Sequence, residues 1–368
     1  MRAVVLERPG AAVTVESLEL DAPRAGEVLV RMEASGVCHS DLHVRDGDWV
    51  RPGPIVLGHE GAGVVEALGP GVEGLRVGDR VVLSWYYPCG RCRACRQRSE
   101  WLCTGSQSIH HVGVDGTPRV HRTDGTPVMS YLSIGTMAER MVVPAAAAIP
   151  IPAGVAPEAA ALIGCCVTTG VGAVLKTAGV PAGAAVAVYG LGGVGLSVVM
   201  GAVIAGASTI VAIDRIGAKL DLARELGATH TVLATDATAT TTAVRGATGG
   251  RGPDFAFEAI GLAATIEQAV EVLPPGGTAV LVGLTPFGVR ASFEVFPLVD
   301  GSRRILGSNY GAAVAAVDFP RYAELHLAGR LPIDRLVQRR ISIDEIEDAF
   351  AAMRRGEHAR QVIVFAEG

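Results

Sequence analysis

Apolar residues fall into two textures along this 368-residue chain. From Met1 to about Ile151 they form short runs in which apolar and polar positions alternate, as in "AVVLE", "EVLVRMEASGV", "GAGVVEALG" and "DRVVLSWY", with Gly and Pro between them. Alternation bounded by turn formers predicts strands, so this portion is expected to be mostly β. From Pro157 the runs lengthen. "PEAAALIGCCVTTGVGAVLKTAG" predicts a helix leading to the apolar strand "AAVAVYG", and strand-like "TIVAID", "HTVLA", "DFAFEAIG" and "GTAVLVGL" then alternate with helix-like segments such as "AKLDLARELG" and "AATIEQAVEVL". That alternation predicts an α/β, doubly wound parallel sheet. After "RILGSNYG" a helix, "IDEIEDAFAAMRRGE", and a last strand, "RQVIVF", read as a return to the first part.

The length exceeds what one core usually serves, so two domains are expected. The textures place them at residues 1–166 and 167–309, with 310–368 rejoining the first. No stretch of 18 apolar residues escapes interruption by Pro, Gly or a charge, and the N-terminus reads as strand, which predicts a cytoplasmic protein with no membrane partner. The formal net charge of -5 gives no general attraction for phosphate backbones.

Seven cysteines are distributed unevenly. Cys89, Cys92, Cys95 and Cys103 form C-x2-C-x2-C-x7-C, a spacing that closes an all-thiolate tetrahedral zinc site and leaves the metal no open position. Arg91, Arg93, Arg96 and Arg98 lie among them and offset the charge of such a site. A zinc-dependent nucleic-acid-binding protein is the rival reading of this stretch, and it is opposed by the net charge and by the lack of a recognition-helix pattern after the cysteines.

"VAVYGLGGVGLSVVMGAVIAGASTIVAIDR" places Gly190, Gly192 and Gly195, with Gly193 and Val194 between them, in G-x-G-x-x-G spacing after a strand and at the start of a helix. Glycine there permits a tight turn and brings backbone close to a pyrophosphate seated on the helix N-terminus. Asp214, 19 residues after Gly195, ends the next strand, where its carboxylate can accept hydrogen bonds from an adenosine ribose. A carboxylate would repel a ribose phosphate, so NAD is expected rather than NADP. Arg215 is the one discordant neighbour.

Gly58, His59, Glu60, Gly63, Gly69 and Val72 spell G-H-E-x2-G-x5-G-x2-V. With Cys38 in "GVCHSD" and Cys165 in "LIGCC", the chain resembles the zinc-dependent medium-chain alcohol dehydrogenases along nearly its whole length. The resemblance implies a GroES-like mostly-β catalytic domain joined to a Rossmann coenzyme domain. It implies two zinc ions per chain: a catalytic one on Cys38, His59 and Cys165, the Cys2His set characteristic of these enzymes, and a structural one on the four clustered cysteines. Cys166 offers a second thiol where the family usually has Gly.

By the same resemblance Glu60 lies near the metal or is held by a salt bridge, and Asp41 holds the imidazole of His59 in one tautomer. Ser40 and His43 match a relay that carries the hydroxyl proton to solvent while hydride passes to nicotinamide. His39 and Arg360 match contacts to the coenzyme diphosphate, and Lys219 matches one to the adenosine ribose. Trp49, Trp85, Tyr131 and Leu284 fall where the family lines its substrate pocket. The activity implied is NAD-linked interconversion of an alcohol with an aldehyde or ketone.

Polyol, aromatic-alcohol and formaldehyde thiol-adduct dehydrogenases are the related alternatives. Relatives acting on the thiol adduct carry arginine four residues after the last clustered cysteine, where this chain has Gln107. A small-molecule substrate and a homodimer are expected, with a homotetramer as the other assembly.

Overall fold

The computed structural model describes residues 1–366, so the last two residues of the predicted return segment 310–368 lie outside the described residues. Residue contacts divide the chain into Met1–Cys165 with Val314–Gly368, and Cys166–Ala313.

The first unit is built on the 11-residue strand Glu27–Val37, which pairs antiparallel with Glu60–Leu68 on one side. Its other side is shared by Arg140–Pro144 along its first half and by Arg360–Val364 along its second. Its burial alternates at first and then becomes continuous, as expected where a sheet gains cover on both faces. The C-terminal strand is thus knitted into the N-terminal part of the chain, with Gln361 opposite Val37. That register sets Arg360 beside Cys38.

Gly36 lies opposite Glu60 in the same sheet. A Cβ at position 36 would come within 2.1 Å of Glu60 Oε2, so this glycine makes room for a buried carboxylate. Val28, Val30, Met32, Val65 and Leu83 fill the adjoining core. Each such side chain stabilises the fold by about 1.5–3 kcal/mol on burial.

The second unit is a six-stranded parallel sheet in the spatial order His230–Leu233, Thr209–Asp214, Ala185–Tyr189, Phe255–Glu258, Thr278–Leu281, Arg304–Gly307. Numbered along the chain that order is 3-2-1-4-5-6, the dinucleotide-binding arrangement, whose switch point lies between Ala185–Tyr189 and Phe255–Glu258. The strand Ala185–Tyr189 is buried at every position, which is why its sequence is wholly apolar apart from the tyrosine hydroxyl.

One feature differs from the expectation drawn from interrupted apolar runs. The helix Pro157–Ala178 spans 22 residues and is apolar enough to cross a membrane, but 89% of its most apolar stretch is buried inside the fold. It is a core helix. Two π-helical turns, Ile163–Val167 and Ala173–Ala178, interrupt it, and the first carries Cys165. Such bulges turn a side chain out of the regular helical register.

Candidate active site

Cys38 follows the long strand and caps the helix His39–Asp46 in an extended conformation. Three residues on, Asp41 is fully buried, and its carboxylate accepts from the backbone N–H of Cys38 (3.2 Å) and of Gly58 (3.2 Å). The same carboxylate accepts from His59 Nδ1 at 3.0 Å. One side chain therefore pins the strand end, the turn before His59 and the imidazole itself. With Nδ1 donating to Asp41, Nε2 is the ring nitrogen left facing the group, and it would offer its lone pair to a bound metal.

That lone pair has no hydrogen-bond partner although Nε2 is buried. It converges with the sulfurs of Cys38 and Cys165 and a carboxylate oxygen of Glu60, all within 4.8 Å of one another. A buried nitrogen acceptor left without a partner costs about 1–3 kcal/mol. Two thiols and an imidazole around it are the donor set that suits zinc, so the residues present fit that ion. A shared hydrogen bond with Cys165 pulls the Cys38 thiol well below its usual range and pushes that of Cys165 up.

Glu60 combines the two positions considered for it. It belongs to the four-residue group, and its Oε1 accepts from Arg360 Nη2 at 2.9 Å. Burial raises its carboxyl to about 7 even against the pull of that guanidinium. Arg360 also donates to the Val37 carbonyl (3.1 Å) and toward Cys38 Sγ (3.9 Å), and it is 5% exposed. The sequence pattern matched this arginine to a coenzyme diphosphate; its position against Glu60 and Cys38 adds a role that pattern did not show.

Farther out, His43 Nδ1 bonds Asp48 Oδ2 at 2.7 Å, and the indole of Trp49 stacks on the His43 ring with centroids 4.6 Å apart. His39 meets His43 edge-on at 5.0 Å and is exposed, and Ser40 is partly exposed on the same helix. Trp49, expected in the pocket wall, thus lies on the ring of His43. Tyr131 is buried and meets His59 edge-to-face at 5.7 Å. Trp85 packs on Tyr86 at 5.5 Å, and Tyr86 donates its hydroxyl to the Cys103 carbonyl at 2.7 Å, so that indole stands at the root of the cysteine lobe. Leu284 belongs to the other unit and is 63% exposed.

The sulfurs of Cys89, Cys92, Cys95 and Cys103 also gather within 4.8 Å. This group is partly exposed, apart from buried Cys103, and its four arginines are exposed. The Cys95 backbone N–H draws the Cys92 thiol down to about 6, and burial beside its neighbours pushes Cys95 up to about 12.

In the second unit Gly190 follows its strand at φ 89°, and a Cβ on Gly195 would lie 1.7 Å from the Gly190 carbonyl oxygen. The fold itself dictates those two glycines. At Gly192, the cap of the helix Gly193–Ala205, an added Cβ would meet nothing within 4 Å, so smallness there leaves room for a group outside the fold. Gly193 and Val194 form the first turn. The Asp214 carboxylate accepts from the N–H of Leu191 (2.8 Å) and of Ile216 (3.0 Å), tying the glycine loop to the second strand. Lys219 is partly buried nearby in sequence, and burial lowers its ammonium; Arg215 is exposed.

Asp48 and His111 did not stand out in the sequence. Asp48 follows the helix-ending Gly47 at φ 89° and lies in a stretch with three other acids or bases, so nothing separated it from surface charge. His111 accepts the backbone N–H of Leu132 from 21 residues away, a contact with no local signal.

Comparison with known proteins adds three kinds of likeness. Residues 24–153 match the family described as "Alcohol dehydrogenase GroES-like domain", and residues 193–327 match "Zinc-binding dehydrogenase". The chain is 38% identical over 369 residues to the NDMA-dependent alcohol dehydrogenase of Amycolatopsis methanolica, covering 99% of this chain and 98% of that protein. A solved alcohol dehydrogenase zinc-binding domain protein from Burkholderia ambifaria superposes with a TM-score of 0.93 at 37% identity, covering 100% of this chain and 99% of that one. Benzyl alcohol dehydrogenase from Acinetobacter calcoaceticus superposes at 0.92 with 32% identity, covering 99% of each.

Proposed function

The chain belongs to the zinc-dependent medium-chain alcohol dehydrogenases, and from that premise we propose that it interconverts an alcohol with an aldehyde or ketone using NAD and zinc. The observation that carries this reading is the convergence of the Cys38 and Cys165 sulfurs with the buried, unpartnered Nε2 of His59. In it, Cys38, His59 and Cys165 hold the catalytic zinc, and Cys89, Cys92, Cys95 and Cys103 hold the structural one. When bound, the catalytic metal supplies a Lewis acid for the substrate oxygen and NAD supplies a hydride acceptor.

The chain's own residues do the rest. Asp41 keeps the His59 proton on Nδ1 and its lone pair toward the metal group. Glu60 and Arg360 balance charge beside the thiolates. Ser40 takes the hydroxyl proton and His43 delivers it to solvent, with Asp48 and Trp49 fixing the ring. The loop Gly190–Gly195 cradles the diphosphate, and Asp214, Arg215 and Lys219 address the adenosine end. Residues 1–166 with 310–368 serve as the catalytic domain and 167–309 as the NAD-binding domain. Trp49, Trp85 and Tyr131 wall the substrate space.

The reading extends to a cytoplasmic homodimer or homotetramer acting on small molecules. The run from Leu284 to Val299 supports self-association: Phe287 is 79% exposed and Phe296 77%. Apolar surface of that kind marks an interaction face.

A panel of primary, secondary and aromatic alcohols assayed with NAD, NADP and NDMA, beside zinc quantitation, tests the proposal. About two zinc ions per chain and turnover with NAD are expected. A protein without zinc overturns the metal assignment. Turnover with NDMA but none with free NAD overturns NAD as the exchanging oxidant, an outcome the Amycolatopsis relative makes worth including.

A further inference from the structure

A strained region stands beside the metal group and takes no part in the chemistry above. His111, Leu132 and Ser133 have φ of 63°, 52° and 61°, the left-handed region, and none is glycine. Non-glycine residues keep that conformation only where their surroundings hold them there.

The two turns hold each other. Leu132 N donates to His111 Nδ1 at 3.0 Å, and Ser130 N donates to the His111 carbonyl at 2.9 Å. Ser133 Oγ donates to the carbonyls of Gln107 and Ser108 at 3.4 and 3.3 Å. To accept from Leu132, Nδ1 must be bare, so the imidazole is neutral with its proton on Nε2. His111 is 4% exposed, and burial pulls its pKa down to about 4, which keeps it in that form.

Tyr131 lies between this clamp and the metal group. It is 2% exposed, tilted against the His111 ring at 5.8 Å and edge-on to the His59 ring at 5.7 Å. Burial raises the pKa of its hydroxyl, and the charge of Asp41 adds to that. The clamp therefore reaches the metal-ligating imidazole through one aromatic ring.

We propose that His111 is a positioning residue: by accepting the Leu132 N–H it fixes Tyr131 against His59 and sets how bulky an alcohol fits beside the metal group. This rests on the alcohol-oxidising reading. A merely structural histidine would affect stability without regard to substrate size. A positioning histidine changes KM for alcohols large enough to press on Tyr131.

The test compares wild-type holoenzyme with His111→Ala and His111→Asn, using ethanol and benzyl alcohol with NAD. Asn tolerates the left-handed backbone, and its Oδ1 takes the place of Nδ1 as acceptor. In His111→Ala, KM for benzyl alcohol should rise about tenfold, kcat should stay within about threefold and KM for ethanol within about twofold. His111→Asn should bring the benzyl alcohol KM back to within about threefold of wild type. If the alanine chain does not fold, His111→Gln, whose acceptor lies one bond farther out, should raise that KM about fivefold.

Equal changes for both alcohols, or Asn behaving like Ala, would overturn the proposal. Should wild type turn over no alcohol, the failure lies in the functional reading. Ring resonances of Tyr131 then decide the clamp alone: they should shift in His111→Ala and return in His111→Asn, and unchanged resonances overturn it.

Discussion

The two cysteine groups meet zinc-like geometry by opposite routes. Cys89, Cys92, Cys95 and Cys103 come from 15 consecutive residues, stay largely at the surface and have exposed arginines around them. Cys38, His59 and Cys165 are drawn from three distant elements, are buried, and bring a carboxylate, a guanidinium and an aromatic ring with them. The compact group can be made by a local chain loop once metal is present, and four thiolates leave no vacancy. The dispersed group must be assembled by the whole unit, and on the proposed reading its three ligands would leave a position for substrate. In that reading one group staples and the other reacts.

The largest test of this contrast exchanges one ligand in each. Cys165→Ser should remove about one zinc per chain and lower kcat/KM at least a thousandfold, corresponding to about 4 kcal/mol of lost stabilisation, with little change in Tm. Cys95→Ser should also cost about one zinc, but lower Tm by about 5 °C or more while the folded fraction keeps its kcat. Zinc analysis, thermal melts and kinetics on the same preparations decide it. If Cys95→Ser abolished kcat at full folding, the division of labour would fail.

The same contrast explains what could be read in advance. The clustered cysteines and the glycine loop declare themselves because their geometry is local, and the strands of the parallel sheet show as apolar runs because both faces are covered. Cys38, His59 and Cys165 are grouped in the sequence by a family signature, not by any period. The Arg360 and Glu60 pair depends on the register that sets Gln361 opposite Val37, more than 300 residues apart. The contacts of His111 with Leu132 and of Trp49 with His43 arise from tertiary packing, and neither spacing nor composition encodes them. Trp49 was assigned to the pocket by position, and its stacking on His43 gives it a second task.

Acid should attack the buried group's surroundings before the lobe. His111 is held near 4 by burial, aided by the positive charges of Arg51 and His110, whereas an unfolded histidine titrates near 6.5. Between those values the unfolded chain binds the extra proton, so this contribution is fully present above pH 6.5 and is lost as pH falls toward 4. The amount at stake is about 3 kcal/mol. Urea melts from pH 7 to pH 4 should show that decline, and His111→Asn should flatten it. An identical slope in the variant would remove His111 from the account.

Asp41→Asn probes dependence on a supporting carboxylate. It keeps size but offers an amide where three N–H groups now find acceptor oxygens, so the His59 tautomer is no longer fixed. Affinity for the catalytic zinc should fall about 10–100-fold. Chelator competition would show this as early loss of one zinc, while the second is retained as in wild type. Simultaneous loss of both would mean that the two groups are coupled, contrary to their separate construction.

The smallest effect belongs at the rim, where the reacting group meets solvent. Asp48 is 42% exposed and holds His43 through one bond, with Trp49 covering the ring. Exposed pairs of this kind contribute about 0.2–1 kcal/mol, which limits Asp48→Ala to about a fivefold fall in kcat near neutral pH. His43→Gln removes the proton carrier itself and should cost more, and added imidazole should restore part of the rate in both variants. Zinc content should not change, because neither residue supports the metal ligands. The ratio of the two losses, measured against imidazole concentration, separates orientation from proton transfer: if Asp48→Ala proved as slow as His43→Gln, the carboxylate would be a member of the relay rather than its support.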